Sequence, residues 1–210
     1  MSKQKVSNLP EFERRQIDAL GISRMELRAV EGKMPTLAGY AAVFNSRTSF
    51  GWFDEEVVPG AFSKSLSDGD DVRALFNHDS SLVIGRRSAN TLRLSEDATG
   101  LGIEIDLPDT TAARDLVANI ESGNIDGMSF GFRAREQEWI EKEGHPELRR
   151  LIDLELIEVS PVTFPAYSDT SIAKRSRDEI FAEKRDSSAG QPRKKLQPSM
   201  EVLRLRAARH

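Results

Sequence analysis

Hydrophobic positions recur along this chain in short runs with a period near two. Residues 37–44, 72–78, 82–84, 91–94 and 101–107 are each rich in aliphatic or aromatic side chains and bounded by Gly, Asp, Asn or Ser. That pattern predicts strands with turns between them. The clearest is Gly100-Leu-Gly-Ile-Glu-Ile-Asp-Leu107, where Leu101, Ile103, Ile105 and Leu107 fall on one face of an extended chain. One segment changes period. Ala113, Leu116, Val117 and Ile120 follow helical spacing and predict a helix over 110–122, with Asp109 or the following Thr as cap and Gly123 as the stop. Weaker helical signals lie at 169–184 and 200–208, and there is no internal repeat. The elements do not alternate strand and helix, which argues against a doubly wound sheet. They predict a mainly β fold with peripheral helices, an all-β-like barrel.

Composition sharpens this outline. Hydrophobic residues make up 38% of 210 residues, so part of the chain is expected to lie outside the core. The expected organisation is an appended segment at 1–24, a folded domain at 25–172 and a tail at 173–210. Residues 171–210 carry 11 Lys/Arg against 5 Asp/Glu and include the polar stretch Ser187-Ser-Ala-Gly-Gln-Pro-Arg-Lys-Lys195. Such a tail reads either as a solvated end or as a docking segment for an acidic partner. It has no aromatic residue after Phe181 to stack on a base, which weighs against nucleic acid. The chain has no cysteine, which excludes disulfides and thiolate metal sites and suits a reducing compartment. No apolar run follows Met1-Ser-Lys-Gln-Lys5, and no stretch approaches the ~20 residues of a membrane span. Neither secretion nor membrane insertion is expected.

Candidate chemistry is sparse. Of the three histidines, His145 lies in a polar loop and His210 is the last residue, leaving His78 in a half-apolar run. Alternation puts His78 on the face of Val72, Ala74 and Phe76, either as a packed rim residue or as a base able to exchange a proton near neutrality. In Gly127-Met-Ser-Phe-Gly-Phe132, residues Met128, Phe130 and Phe132 face the core. Ser129, Gly131 and Arg133 then share the opposite face, where the small glycines leave room for a peptide backbone to approach an exposed Ser129. An ordinary solvent-face serine in a bent strand fits the same pattern. Glu158 interrupts the apolar run Leu156-Ile-Glu-Val-Ser-Pro161. A carboxylate there either faces water from an edge or needs a buried partner. Glu155 and Asp153 compete with it as acids. A base, a nucleophile and an acid on three separate runs match the distribution of a serine hydrolase triad.

Eight segments together resemble the tailed-phage prohead maturation proteases. They are Leu37-Ala-Gly-Tyr-Ala-Ala-Val-Phe-Asn45, Val58-Pro-Gly-Ala-Phe62, Arg73-Ala-Leu-Phe-Asn-His-Asp79, Leu82-Val-Ile-Gly85, Thr91-Leu-Arg-Leu94, Asp106-Leu-Pro-Asp-Thr110, Gly127-Met-Ser-Phe-Gly-Phe132 and Glu158-Val-Ser-Pro-Val-Thr-Phe-Pro-Ala-Tyr167. The resemblance spans about 25–172 in the same order. It implies a fold similar to the herpesvirus assemblins, a closed antiparallel β-barrel ringed by helices. It also implies a serine endopeptidase acting inside the assembling prohead in the host cytoplasm, on scaffold and capsid protein and on itself, without a cofactor or metal. Homo-oligomer formation is left open. Ser129 maps onto the nucleophile, His78 onto the base and Glu158 onto the third member. Gly131, Ala166 and Tyr167 are the candidates for oxyanion and substrate contacts, since Pro165 offers no N–H. Two other classes remain in play: a non-catalytic capsid-assembly or scaffold protein, and a hydrolase of small esters.

Overall fold

The computed structural model describes residues 11–17, 25–29, 31–141 and 146–163. Among them the chain is mainly β. The strands are β1 (Phe12–Ile17), β2 (Glu26–Arg28), β3 (Thr36–Val43), β4 (Thr48–Ser49), β5 (Phe53–Val57), β6 (Arg73–Phe76), β7 (Asp79–Arg86), β8 (Leu92–Glu96), β9 (Gly100–Asp106), β10 (Gly127–Ile140) and β11 (Glu147–Val162). Two α-helices interrupt them, α1 (Ser63–Asp68) between β5 and β6, and α2 (Thr111–Glu121) between β9 and β10, along with a 3-10 turn at Arg87–Ala89. The helical signals at 169–184 and 200–208 fall outside the described residues.

The strands pair into two sheets, one in the order β1-β10-β11-β5-β4 with β6 and β7 joined through β11, the other in the order β2-β3-β9-β8. No closed barrel is found in the pairing among the described residues. In addition, β11 runs parallel to both β5 and β6. Long connections separate β11 from β5 and β6 in the sequence, and such connections are what parallel neighbours require. Part of the 1–24 segment is also built in: β1 pairs antiparallel with β10 along its whole length.

The core lies between the sheets. Leu37, Ala41, Leu101, Ile103 and Ile105 from one sheet meet Phe130, Phe132, Leu154, Leu156 and Val159 from the other, with Phe62, Ala113 and Leu116 filling in. The strict alternation of β9 is what buries its aliphatic residues together. Gly100 is needed for close packing, because a Cβ there would lie 1.9 Å from the Ala42 carbonyl oxygen. The Thr110 hydroxyl accepts a hydrogen bond from the Ala113 N–H and caps α2. At the other end of α2, Gly123 takes φ 73° and its N–H returns to the Ile120 carbonyl, as a helix stop should.

A second buried centre is ionic. Arg149 is fully buried, and Glu13, Arg15 and Glu55 are nearly so. Arg149 donates to Glu13 at 2.7 Å, to Glu55 at 2.9 Å and to Gln137 at 2.6 Å. Arg15 donates to Glu55 at 2.5 Å and to Glu13 at 2.6 Å. Two guanidinium groups and two carboxylates thus close a neutral cluster that ties β1 to β5 and β11. Burial pushes the Glu13 carboxyl up, but hydrogen bonds and charge from Arg149 and then Arg15 outweigh it, and its pKa falls below the ordinary 4.5. Nothing in the hydrophobic periodicity points to this cluster.

Two outcomes follow for stability. Arg149→Ala should lower unfolding free energy by about 3–5 kcal/mol, the usual cost of leaving a buried charge without its partner; urea denaturation measures it. Because folding lowers the Glu13 pKa, its contribution is fully present above about 4.5 and is lost as pH falls through the lower folded value. The acid limb of a stability–pH curve should therefore be shallower in Glu13→Gln than in wild type.

Candidate functional site

The strands place His78 differently from the simple alternation. β6 ends at Phe76, β7 begins at Asp79, and Phe76 pairs with Asp79. Asn77 and His78 are the two residues of the turn, with φ 51° and 61°. Two successive left-handed residues are the geometry of a tight hairpin turn that follows the twist of its strands, and Asn and His are among the residues that accept it most readily. His78 is therefore presented on a turn instead of a strand face. The turn is pinned to the end of β11: the Asn77 N–H donates to the Pro161 carbonyl at 3.0 Å, and the Asn77 side chain accepts from the Thr163 N–H at 2.8 Å. Asn77 is a positioning residue that the sequence reading did not single out.

Glu158 is buried with its carboxylate fully engaged. Oε1 lies 2.6 Å from His78 Nδ1, and Oε2 accepts the Ser160 hydroxyl at 2.5 Å. The Arg14 guanidinium approaches Oε1 at 3.4 Å. A bulge in β11 makes this orientation compatible with the core. Glu158 pairs with Gly131 while Leu156 pairs with the next residue, Phe132, so Ile157 is the extra residue. Leu156 and Val159 can then both enter the core while Glu158 faces the other way. The competing acids are engaged elsewhere, Glu155 with Arg133 at 3.0 Å and Asp153 near Arg135 at 3.9 Å.

The contact with a carboxylate assigns the Nδ1 position as the imidazole donor. In the neutral ring Nε2 then carries the lone pair. That Nε2 is buried and has no hydrogen-bond partner among the described residues. The ring is thus oriented at one nitrogen and unpartnered at the other, as a general base awaiting its proton donor would be.

Ser129 stands opposite Ser160 in the β10–β11 register, as Gly131 stands opposite Glu158. Directly opposed residues of antiparallel strands project to the same face, so Ser129, Gly131, Glu158 and Ser160 share one surface, and Glu158 brings His78 to it. Met128, Phe130 and Phe132 line the core on the other side. The exposed serine expected from alternation is corrected here: Ser129 is fully buried. Its hydroxyl donates to the Arg15 carbonyl of β1 at 2.9 Å. The room expected beside Gly131 is also taken. A Cβ at Gly131 would lie 2.7 Å from both Glu158 Oε1 and the Phe12 ring. The cause in each case is β1, which periodicity left outside the domain.

His145, Ala166, Tyr167 and His210 lie outside the described residues. No group of three or more His, Asp or Glu side chains among the described residues gathers as metal ligands.

Residues 23–184 match the family model of the caudovirus prohead serine proteases. Among curated proteins, the prohead protease of Enterobacteria phage HK97 is 33% identical over 147 residues, which cover 68% of this chain and 61% of that protein. The chain therefore aligns with less than two thirds of that relative's length. Among solved structures, the bacteriophage T4 capsid assembly protease aligns over 74% of this chain and 99% of its own, at 11% identity and a TM-score of 0.49. With 23–184 matched throughout, the chain belongs to the caudovirus prohead serine protease family.

Proposed function

We propose that this protein is a serine endopeptidase of phage head maturation, with Ser129 as nucleophile, His78 as general base and Glu158 as the acid that orients it. The observation that carries the reading is the 2.6 Å contact between His78 Nδ1 and the buried Glu158 carboxylate, on the strand face that also bears Ser129. The supporting relationship is family membership, and the substrates that it suggests are scaffold and major capsid protein, met inside the assembling prohead in the host cytoplasm. Self-cleavage belongs to the same reading, as do the boundary at residue 172 and the assemblin-like barrel.

The chemistry is acyl transfer. His78 Nε2 takes the proton of Ser129 as Oγ attacks the scissile carbonyl. Collapse of the tetrahedral intermediate expels the amine, which receives that proton, and leaves an acyl-enzyme. Water, activated by the same nitrogen, releases the acid product. Glu158 holds the ring through Nδ1 and stabilises the imidazolium. The developing oxyanion needs donors worth roughly 3–4 kcal/mol each; the backbone N–H groups of Ala166 and Tyr167 are assigned to it, with Gly131 at the substrate's side. The basic tail is assigned to delivery or self-removal.

A second reading has one observation in its favour. A buried Ser129 whose hydroxyl is held by a backbone carbonyl suits a non-catalytic capsid-assembly protein. Cleavage assays on co-expressed scaffold and capsid protein separate the two.

Ser129→Ala and His78→Ala should each abolish cleavage, and the double variant should be no worse than either, because triad members act as a unit. Glu158→Gln should lose less, while Glu155→Gln stays near wild type. Processing that survives His78→Ala would sink the assignment. Ser160→Ala should cost stability by about 1–3 kcal/mol, since it leaves a buried carboxylate oxygen short of a donor; Ser160→Thr, which keeps the hydroxyl, should recover part of it in urea denaturation.

A further inference from the structure

β1 makes three separate contacts with the surface that carries Ser129. The Arg15 carbonyl accepts the Ser129 hydroxyl at 2.9 Å. The Phe12 ring fills the space over Gly131. The Arg14 guanidinium stands 3.4 Å from the Glu158 oxygen that also meets His78. A hydroxyl has one proton to donate. While it goes to Arg15, it is not available to His78, whose Nε2 is left buried without a partner among the described residues. The strand lies antiparallel along β10 with its backbone against the serine, the way an extended peptide adds to a sheet edge.

We propose that β1 is an intramolecular strap occupying the seat of an extended peptide substrate, and that its displacement frees Ser129 to pair with His78. This inference rests on reading Ser129 as the nucleophile. The peptide class it names is an extended segment that pairs with β10 by strand addition, with a small residue, Gly131, beneath one of its side chains.

The strap is built to leave. It is a six-residue strand at the end of its sheet, and among the described residues it pairs only with β10. It lies before residue 23, where the family match begins. The buried ionic cluster divides cleanly along it. Glu13 and Arg15 pair with each other at 2.6 Å on the strap, and Arg149 and Glu55 pair at 2.9 Å on the body. Each side carries no net charge, so separation strands no unpaired ion. Exchanging one hydrogen-bonded ionic arrangement for two smaller ones fixes register without adding much net stability. By contrast, an apolar strap of the same length would hold by burial alone and leave a sticky edge when it departed.

The test uses the full-length chain, which contains no cysteine. Phe12 pairs with Arg133 across β1 and β10. Opposed residues in antiparallel strands lie ~4.5–5.5 Å apart at Cα, within disulfide range. Phe12→Cys/Arg133→Cys can therefore be locked by oxidation and released by dithiothreitol. Diisopropyl fluorophosphate, which reacts with an activated serine, reports the site by intact mass without any need to know the substrate. The locked form should label about tenfold more slowly than the same protein reduced, equivalent to ~1.4 kcal/mol. Arg14→Glu, which places a like charge beside Glu158 from a side chain 42% exposed, should label about threefold faster than wild type, the scale of a surface ion pair. Ser129→Ala should not label. Equal, Ser129-dependent labelling of locked and reduced forms would overturn the strap and leave the protease reading standing. Absence of Ser129-dependent labelling in every form overturns both, since the strap would then hold nothing in check.

Discussion

A carboxylate with almost no access to water governs the arrangement of this molecule. Glu158 is buried in the mostly apolar last third of β11, and an ionised carboxylate in that position costs several kcal/mol unless donors surround it. The fold meets the demand from three directions. The β6–β7 turn brings the His78 imidazole, β11 itself supplies the Ser160 hydroxyl, and β1 brings Arg14. The left-handed turn, the bulge at Ile157 and the anchoring of Asn77 to the end of β11 all serve that delivery. Satisfying Glu158 orients the histidine, so the need for electrostatic compensation and the chemistry of a base are met by one contact.

The same logic recurs a short way along β1, with a different outcome. There the carboxylates of Glu13 and Glu55 are met by two guanidinium groups, and every charge is cancelled within the cluster. That centre can set the register of β1 on β10, but it contains no imidazole. Around Glu158 the partner is an imidazole, the side-chain type suited to general acid–base work. One buried carboxylate system thus fixes a strand and the other prepares a base. β1 takes part in both, which makes its position a matter of reactivity as well as stability.

Much of this was legible from residue pattern. The period-two runs mark β3, β8 and β9 within a residue or two, and helical spacing with Thr110 and Gly123 as punctuation marks α2. Glu158 stood out because a carboxylate in an apolar run needs a partner, and the structure provides one. What escaped has physical causes. Alternation treats His78 as a strand residue because it cannot register two successive positive φ values, which depend on the hairpin closing. A one-residue bulge reverses the faces in β11 and leaves no trace in composition. β1 reads as polar because its contribution to the interior is ionic: Glu13 and Arg15 are buried only because Arg149 and Glu55, far along the chain, cancel them. The parallel pairing of β11 with β5 and β6 is likewise a long-range property.

The claim at the centre of this account is that the Glu158 carboxylate holds the Nδ1–H of His78. Proton NMR of the imidazole ring tests it most directly. A downfield Nδ1–H resonance should be present in wild type and retained in Ser129→Ala. It should vanish in His78→Ala and move upfield in Glu158→Gln, where a neutral amide oxygen replaces the carboxylate and weakens the hydrogen bond. A resonance unmoved by Glu158→Gln would contradict the account, because His78 would then be held by some other acceptor.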